Sequence, residues 1–429
     1  MVTLPGSFAQ VGWFEGILLL ATSGVVAASS LVLLNVATNV FGDSEASKTS
    51  SYAGLVAHVL GNFGSQTLEL LTLLYCVGQI VAYLGAVGQQ FALLMGYIFG
   101  FSLSIHKAIA VVAFFFMFPF SLLPEQGAMR FAGALGTACM VYIVAAVVFR
   151  DGISAIRNGV CSLSVEDGDG SSSDSTNVPM SFSSSFTTML KNMPIFLFSM
   201  NASVTYVPVR YHHRKSLFLS LLLRNDGENS SSYDVDPQEH RKSVERESSR
   251  LIGSSISIAG FFYLACSGVA YLAYCNGVPE NVIDAWPLSW LPGLLARIFL
   301  SIELTVAAAG IYVPLGRAAF WHLRYGPYQT IAPAGLTRIL TTLAIIGVGA
   351  IGSIALGGAL ALPLAVTSAL CVTAQMFVLP GLCIAQLSAD SAAAGGGHLI
   401  PGGSSAGLTF AVAGAAFGTL SLAALFDLI

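Results

Sequence analysis

Residues Asn192–Arg214 read NMPIFLFSMNASVTYVPVRYHHR, and the fold turns on this stretch. An apolar run opens at Pro194, is interrupted by Ser199, Asn201, Ser203 and Thr205, and closes on Pro208, Arg210 and Arg214. In lipid every backbone N–H and C=O must find a partner within the protein, so a helix breaks only inside protein or beside a cavity. Discontinuous helices of this kind hold substrates in secondary transporters. The segment equally fits a proline-kinked structural span whose hydroxyls bond back to the preceding turn. On these residues alone both readings stand.

The surrounding chain supplies the solvent. Of its 429 residues 55% are apolar and only 9% charged, against roughly 25% charged in soluble domains. It reads as an all-α, polytopic helical membrane protein, a single transmembrane domain over 1–429. Runs long enough to cross a bilayer lie at about 16–41, 65–90, 104–123, 130–149, 186–209, 251–275, 291–321, 336–356, 361–386 and 405–428. Between them, 150–185 is rich in Ser, Gly and Asp and reads as a flexible loop. The 210–250 segment holds eight Lys/Arg and one apolar octet, Ser216–Leu223, which lies on the membrane surface or extends a helix. Counting Lys and Arg by side gives thirteen on the side of 210–250 and four opposite. The positive-inside rule therefore places 210–250 in the cytosol and leaves the Asn229 sequon in the wrong compartment for glycosylation. Cys161 and Cys275 then share the opposite, oxidising side and could form a disulfide. No basic face suggests nucleic acid.

Ionisable groups within spans are costly and mark function by default. Glu303 is the main candidate, either as a proton carrier or as a structural carboxylate; it would reach Arg297 only if the helix deformed. Glu69, near the start of its span, reads as an interfacial anchor. Gln79 and Tyr83 stand four residues apart on one helical face, so they either line a polar substrate site or hold helix to helix. The glycine-rich run 347–358 suits close packing and lacks the Lys-Ser/Thr of a phosphate loop. Histidines and acids do not cluster in spans, so neither a metal nor a cofactor is expected. No paired carboxylates or nucleophile–base couple suggests an enzyme.

Taken in order, several motifs resemble the amino acid/auxin permease family, whose animal branch includes the sodium-coupled neutral amino acid transporters. LPGSFAQVGWFEGILLL, beginning at Leu4, is similar to the family's LPYAFxxAGWxxGxxLL entry. SYAGLVAHVL through TLELLTLLY resembles its tyrosine-led amphipathic helix and third span. In PIFLFSMNASVTYVP the prolines Pro194 and Pro208 keep the spacing of PIFxFAFxCHxxVxP. GVPENVI and YVPLGRAAF resemble later connecting segments.

The resemblance implies a LeuT-type fold, two inverted repeats of five helices plus an eleventh. The first repeat would cover about 1–149 and the second about 186–386, with the last helix at about 405–428. It also implies that broken first and sixth helices cup an amino acid, assigning Thr3, Leu4, Phe198, Ser199, Met200, Asn201, Ala202 and Ser203 to the site beside Gln79 and Tyr83. Three departures qualify this. The inner half of the first helix is not seen before Leu4, so an incomplete start is expected. The Cys-His pair of the sixth-helix motif is Ala202-Ser203. The hydroxyls of the sodium-coupled branch are replaced by Val306, Ala307 and Ala308, with Thr305 one step outside. The expected function is therefore secondary amino acid transport in the plasma membrane or a vacuolar/lysosomal membrane, coupled to H+ or facilitative. A non-transporting membrane sensor, a truncated remnant, or the same fold with another substrate are the alternatives.

Overall fold

The computed structural model describes residues 3–41, 49–123, 125–161, 185–211, 237–327, 335–393 and 403–427, with the side chains of 125–132, 237–245 and 276 outside that set. The octet at 216–223, the sequon at Asn229, and most of the two polar loops lie outside the described residues. Among the described residues there is no strand, as expected where a chain must satisfy its backbone without water.

The helices are α1 (Leu4–Val11), α2 (Trp13–Val40), α3 (Tyr52–Phe99), α4 (Ile105–Ser121), α5 (125–158), α6 (Phe186–Ser199), α7 (203–211), α8 (Pro237–Tyr274), α9 (Leu291–Tyr325), α10 (Leu336–Ala355), α11 (Ala361–Ala393) and α12 (Gly403–Leu425). Eight of them are long and apolar enough to cross a membrane: α2, α3, α5 from Gly133, α8 from Arg246, and α9 through α12. The other two runs expected to span differ. Helix α4 is shorter, and 186–209 is divided into α6 and α7 by non-helical residues at 201–202.

Local chemistry sets these bounds. Ser51 caps α3 by accepting the Gly54 N–H at 3.0 Å. Gly61, at φ 74°, separates the amphipathic first two turns of α3 from its spanning part, a backbone conformation that a side chain would strain. Gly12, at φ 94°, separates α1 from α2, after which Trp13 stacks on Tyr271 at a centroid distance of 6.1 Å.

Small residues let the helices approach, which is the main packing force where lipid is as apolar as leucine. A Cβ added at Gly381 of α11 would come within 2.6 Å of the Gly407 carbonyl oxygen on α12, and one at Gly407 within 2.6 Å of the Gly381 oxygen.

Two main apolar clusters result. One is built mainly on α3, α4, α5, α9 and α10, around Ile80, Ile109, Val147 and Ile346. The other joins α1, α2, α6 and α11 through Leu4, Phe8, Phe196 and Met376. Phe198 and Tyr312 pack against both.

A polar network closes one end. Cys161 and Cys275 are joined by a disulfide, with Cα atoms 5.2 Å apart. Beside it, buried Asp151 of α5 accepts from Tyr274 at 3.1 Å and pairs with Arg150 at 3.2 Å. A short 3-10 turn at Val282–Ala285 follows. There Arg297 of α9 pairs with Asp284 at 3.0 Å and donates to Gln90 of α3 at 2.6 Å and to the Trp286 carbonyl at 3.0 Å. Arg297 therefore turns to Asp284 rather than to Glu303, because the guanidinium finds a carboxylate and two further acceptors without distorting the helix. Glu69 also differs from a simple interfacial anchor. It is buried, and its Oε1 lies 2.6 Å from Nδ1 of His322 on α9.

Candidate functional site

The break between α6 and α7 opens onto a cavity of about 270 Å³. At the end of α6 the hydroxyl of Ser199 donates to the Phe196 carbonyl at 2.7 Å. The chain then leaves the helix at Met200 and restarts at Ser203, whose N–H donates to Asn201 Oδ1 at 3.1 Å. The side chain of Asn201 thus satisfies one donor at the start of α7, the role that makes Asn common at helix entries. Two helix ends face each other here, one presenting freed carbonyls and the other freed N–H groups. Thr3, which precedes the first turn of α1, brings a third helix end to the same cavity.

The opposite wall is aromatic and acidic. Tyr75 and Tyr83 of α3 are two turns apart, and both rings pack edge-on against Tyr312, at 5.8 and 5.6 Å. Phe198 lies 6.2 Å from Tyr75. Tyr312 closes a π-helical turn, Ala308–Tyr312, inside α9, an irregularity of a kind that often marks functional sites. Glu303, two turns earlier on α9, enters the cavity beside Gly136 of α5, where a Cβ would lie only 3.3 Å from its Oε1. Tyr263, Cys139 and Met140 complete this side. Among the described residues, no Lys, Arg or His lines the cavity.

A pocket of this size, with apolar walls and a few convergent polar groups, is what a small-molecule site requires. Residues 1–210 match the family model described as transmembrane amino acid transporter protein. Over this segment the chain is similar to the amino acid transporter family. No curated relative matches the chain.

The residues suggested by sequence divide into two groups. Thr3, Tyr83, Phe198, Ser199, Asn201 and Glu303 line the cavity. Leu4, Gln79, Met200, Ala202 and Ser203 do not. Leu4 is fully buried in the cluster around Phe8. Gln79 is fully buried, and neither of its amide atoms has a partner among the described residues. Met200 turns to a separate groove between α2 and α8. The Ala202 carbonyl accepts the Tyr206 N–H at 2.9 Å, and Ser203 Oγ faces Ser30 Oγ at 3.4 Å. The backbone explains the split: the chain leaves the helix at Met200 and restarts at Ser203, so successive side chains turn to different sides and a run of six cannot all face one cavity.

Sequence reasoning missed Tyr75, Tyr263 and Tyr312. Tyr75 had a signal, since it precedes Gln79 by four residues and Tyr83 by eight on one helical face. Tyr263 had none, being one aromatic among the apolar residues of α8.

Proposed function

We propose that this protein is an amino acid transporter working by alternating access, with its substrate bound at the break between α6 and α7. The observation that carries this reading is the cavity's place. Phe198 and Tyr312 line it and pack against both apolar clusters. A substrate held there lies where two packed bodies meet, so rocking one against the other would open it to either side in turn. The first turn of α1 and the start of α7 attract the substrate carboxylate, and the freed carbonyls at the end of α6 take its ammonium. The helix order is that of a LeuT-type transporter, with 210–250 in the cytosol and the disulfide on the outer side of a plasma or vacuolar/lysosomal membrane.

Coupling is to protons, or transport is facilitative. Sodium requires several oxygen ligands, whereas Val306, Ala307 and Ala308 offer no side-chain oxygen. The nearby Thr305 hydroxyl donates to the Ser301 carbonyl at 2.7 Å. Glu303 is the proton-carrying candidate, since it is the carboxyl that enters the cavity.

The test is uptake of labelled amino acids by the purified full chain in liposomes, with and without an imposed pH gradient. Uptake above empty vesicles supports the reading. Absence of uptake across neutral, acidic and basic amino acids, in protein that still binds one of them, would leave a sensor instead of a transporter.

A further inference from the structure

The cavity has two chemically distinct poles, and only one of them suits the part common to all amino acids. The first pole is the break, where Thr3, Ser199 and Asn201 surround helix ends able to hold a carboxylate and an ammonium. The second is the α5–α9 wall, where Glu303 stands beside Gly136 and among Leu300, Leu304 and Ile143. Among the described residues Glu303 has no hydrogen-bond or ion-pair partner, whereas Ser301 and Thr305 on the same helix bond back to that helix. Tyr83, Tyr263 and Tyr312 line the same cavity as this carboxyl. A carboxylate removed from bulk water and left without a cation is costly, and the cost is relieved when a cation arrives. Aromatic faces attract cations as well, and four tyrosines share this cavity with Phe198.

We propose that the transported amino acid carries a positively charged side chain, with Glu303 as its counter-charge and the tyrosines as the aromatic enclosure. This rests on the transport reading above and deepens it by naming the substrate class. The zwitterionic end would sit at the break and the ammonium or guanidinium end against Glu303. Gly136 matters because its missing side chain leaves the carboxyl room to meet the incoming group.

The experiment compares arginine with citrulline, which has nearly the same shape and no side-chain charge. Uptake and binding are measured on the full chain in liposomes for the unaltered protein, Glu303→Gln and Glu303→Asp, with leucine as a neutral reference. Arginine should be favoured over citrulline by about tenfold or more, as expected when a half-buried acid and aromatic rings meet a cation. Glu303→Gln should remove that preference, while Glu303→Asp, which keeps the charge, should retain much of it. Equal handling of arginine and citrulline by the unaltered protein would overturn the proposal. So would an equal loss of both in Glu303→Gln, which would assign the carboxylate to the common ammonium. In either case uptake of citrulline or leucine would leave the transport reading standing. Arginine binding that depends on Glu303 without uptake of any amino acid would uphold the site and overturn transport.

Discussion

Trp286 donates its indole N–H to Asp151 Oδ2 at 3.2 Å, joining the segment after the disulfide to the buried end of α5. The other carboxylate oxygen serves Tyr274 and Arg150, and the Arg150 guanidinium lies 5.2 Å from the Trp290 ring. One acid thereby organises three elements. Asp151→Ala should leave the Trp286 indole N–H and the Tyr274 O–H without their acceptor, while Arg150 keeps its bond to the Tyr274 oxygen, and lower stability by about 1–3 kcal/mol. Thermal unfolding in detergent checks this, and an unchanged melting temperature would show that the network is incidental.

Ser199 and Asn201 both line the cavity, yet their side chains are engaged differently. The Ser199 hydroxyl is returned to its own helix, whereas Asn201 supports the start of α7. Asn201→Ala should therefore weaken substrate binding and also cost about 1 kcal/mol of stability from the lost cap. Ser199→Ala should weaken binding with little effect on stability. Unchanged uptake kinetics in both variants would remove the break from the site.

Glu303→Gln should flatten the pH dependence of transport, because the amide cannot exchange a proton at the point where the acid enters the cavity. Uptake measured across pH gradients of both signs decides this. A pH profile that survives the substitution would give the proton to another group.

The Cys161–Cys275 disulfide spans 114 residues of sequence. Closing so long a loop should stabilise the fold by about 2–5 kcal/mol. A reducing agent should lower the melting temperature of the unaltered protein and leave the Cys161→Ser/Cys275→Ser variant unmoved. Equal melting of reduced and oxidised protein would show that the network around Asp151 holds this end by itself.

Gly381 and Gly407 approach each other so closely that a side chain on either meets the other's carbonyl. Gly407→Val should push α12 away from α11 at a cost of about 1–3 kcal/mol, as overpacking does elsewhere. Thermal unfolding again checks it, and a neutral result would mean that α12 can shift without loss.

The amino-acid sequence by itself determined the solvent, the helical class and the location of the break. Those follow from local chemistry: apolar runs too long for anything but spans, few charges, and polar residues with flanking prolines between Pro194 and Pro208. It also marked Tyr83, Asn201 and Glu303, since polar groups at membrane depth need a reason to be there. Tertiary structure decided which of these meet. Tyr312 joins Tyr75 and Tyr83 only because α9 packs on α3 with a π turn in register, and Glu303 faces the cavity only because Gly136 on α5 leaves it space. Arg297 is drawn to Asp284 and Gln90 by segments far from it in sequence or across a turn. Periodicity states which face of a helix a residue occupies, but the neighbour that covers that face is chosen by packing between helices, which no local pattern records.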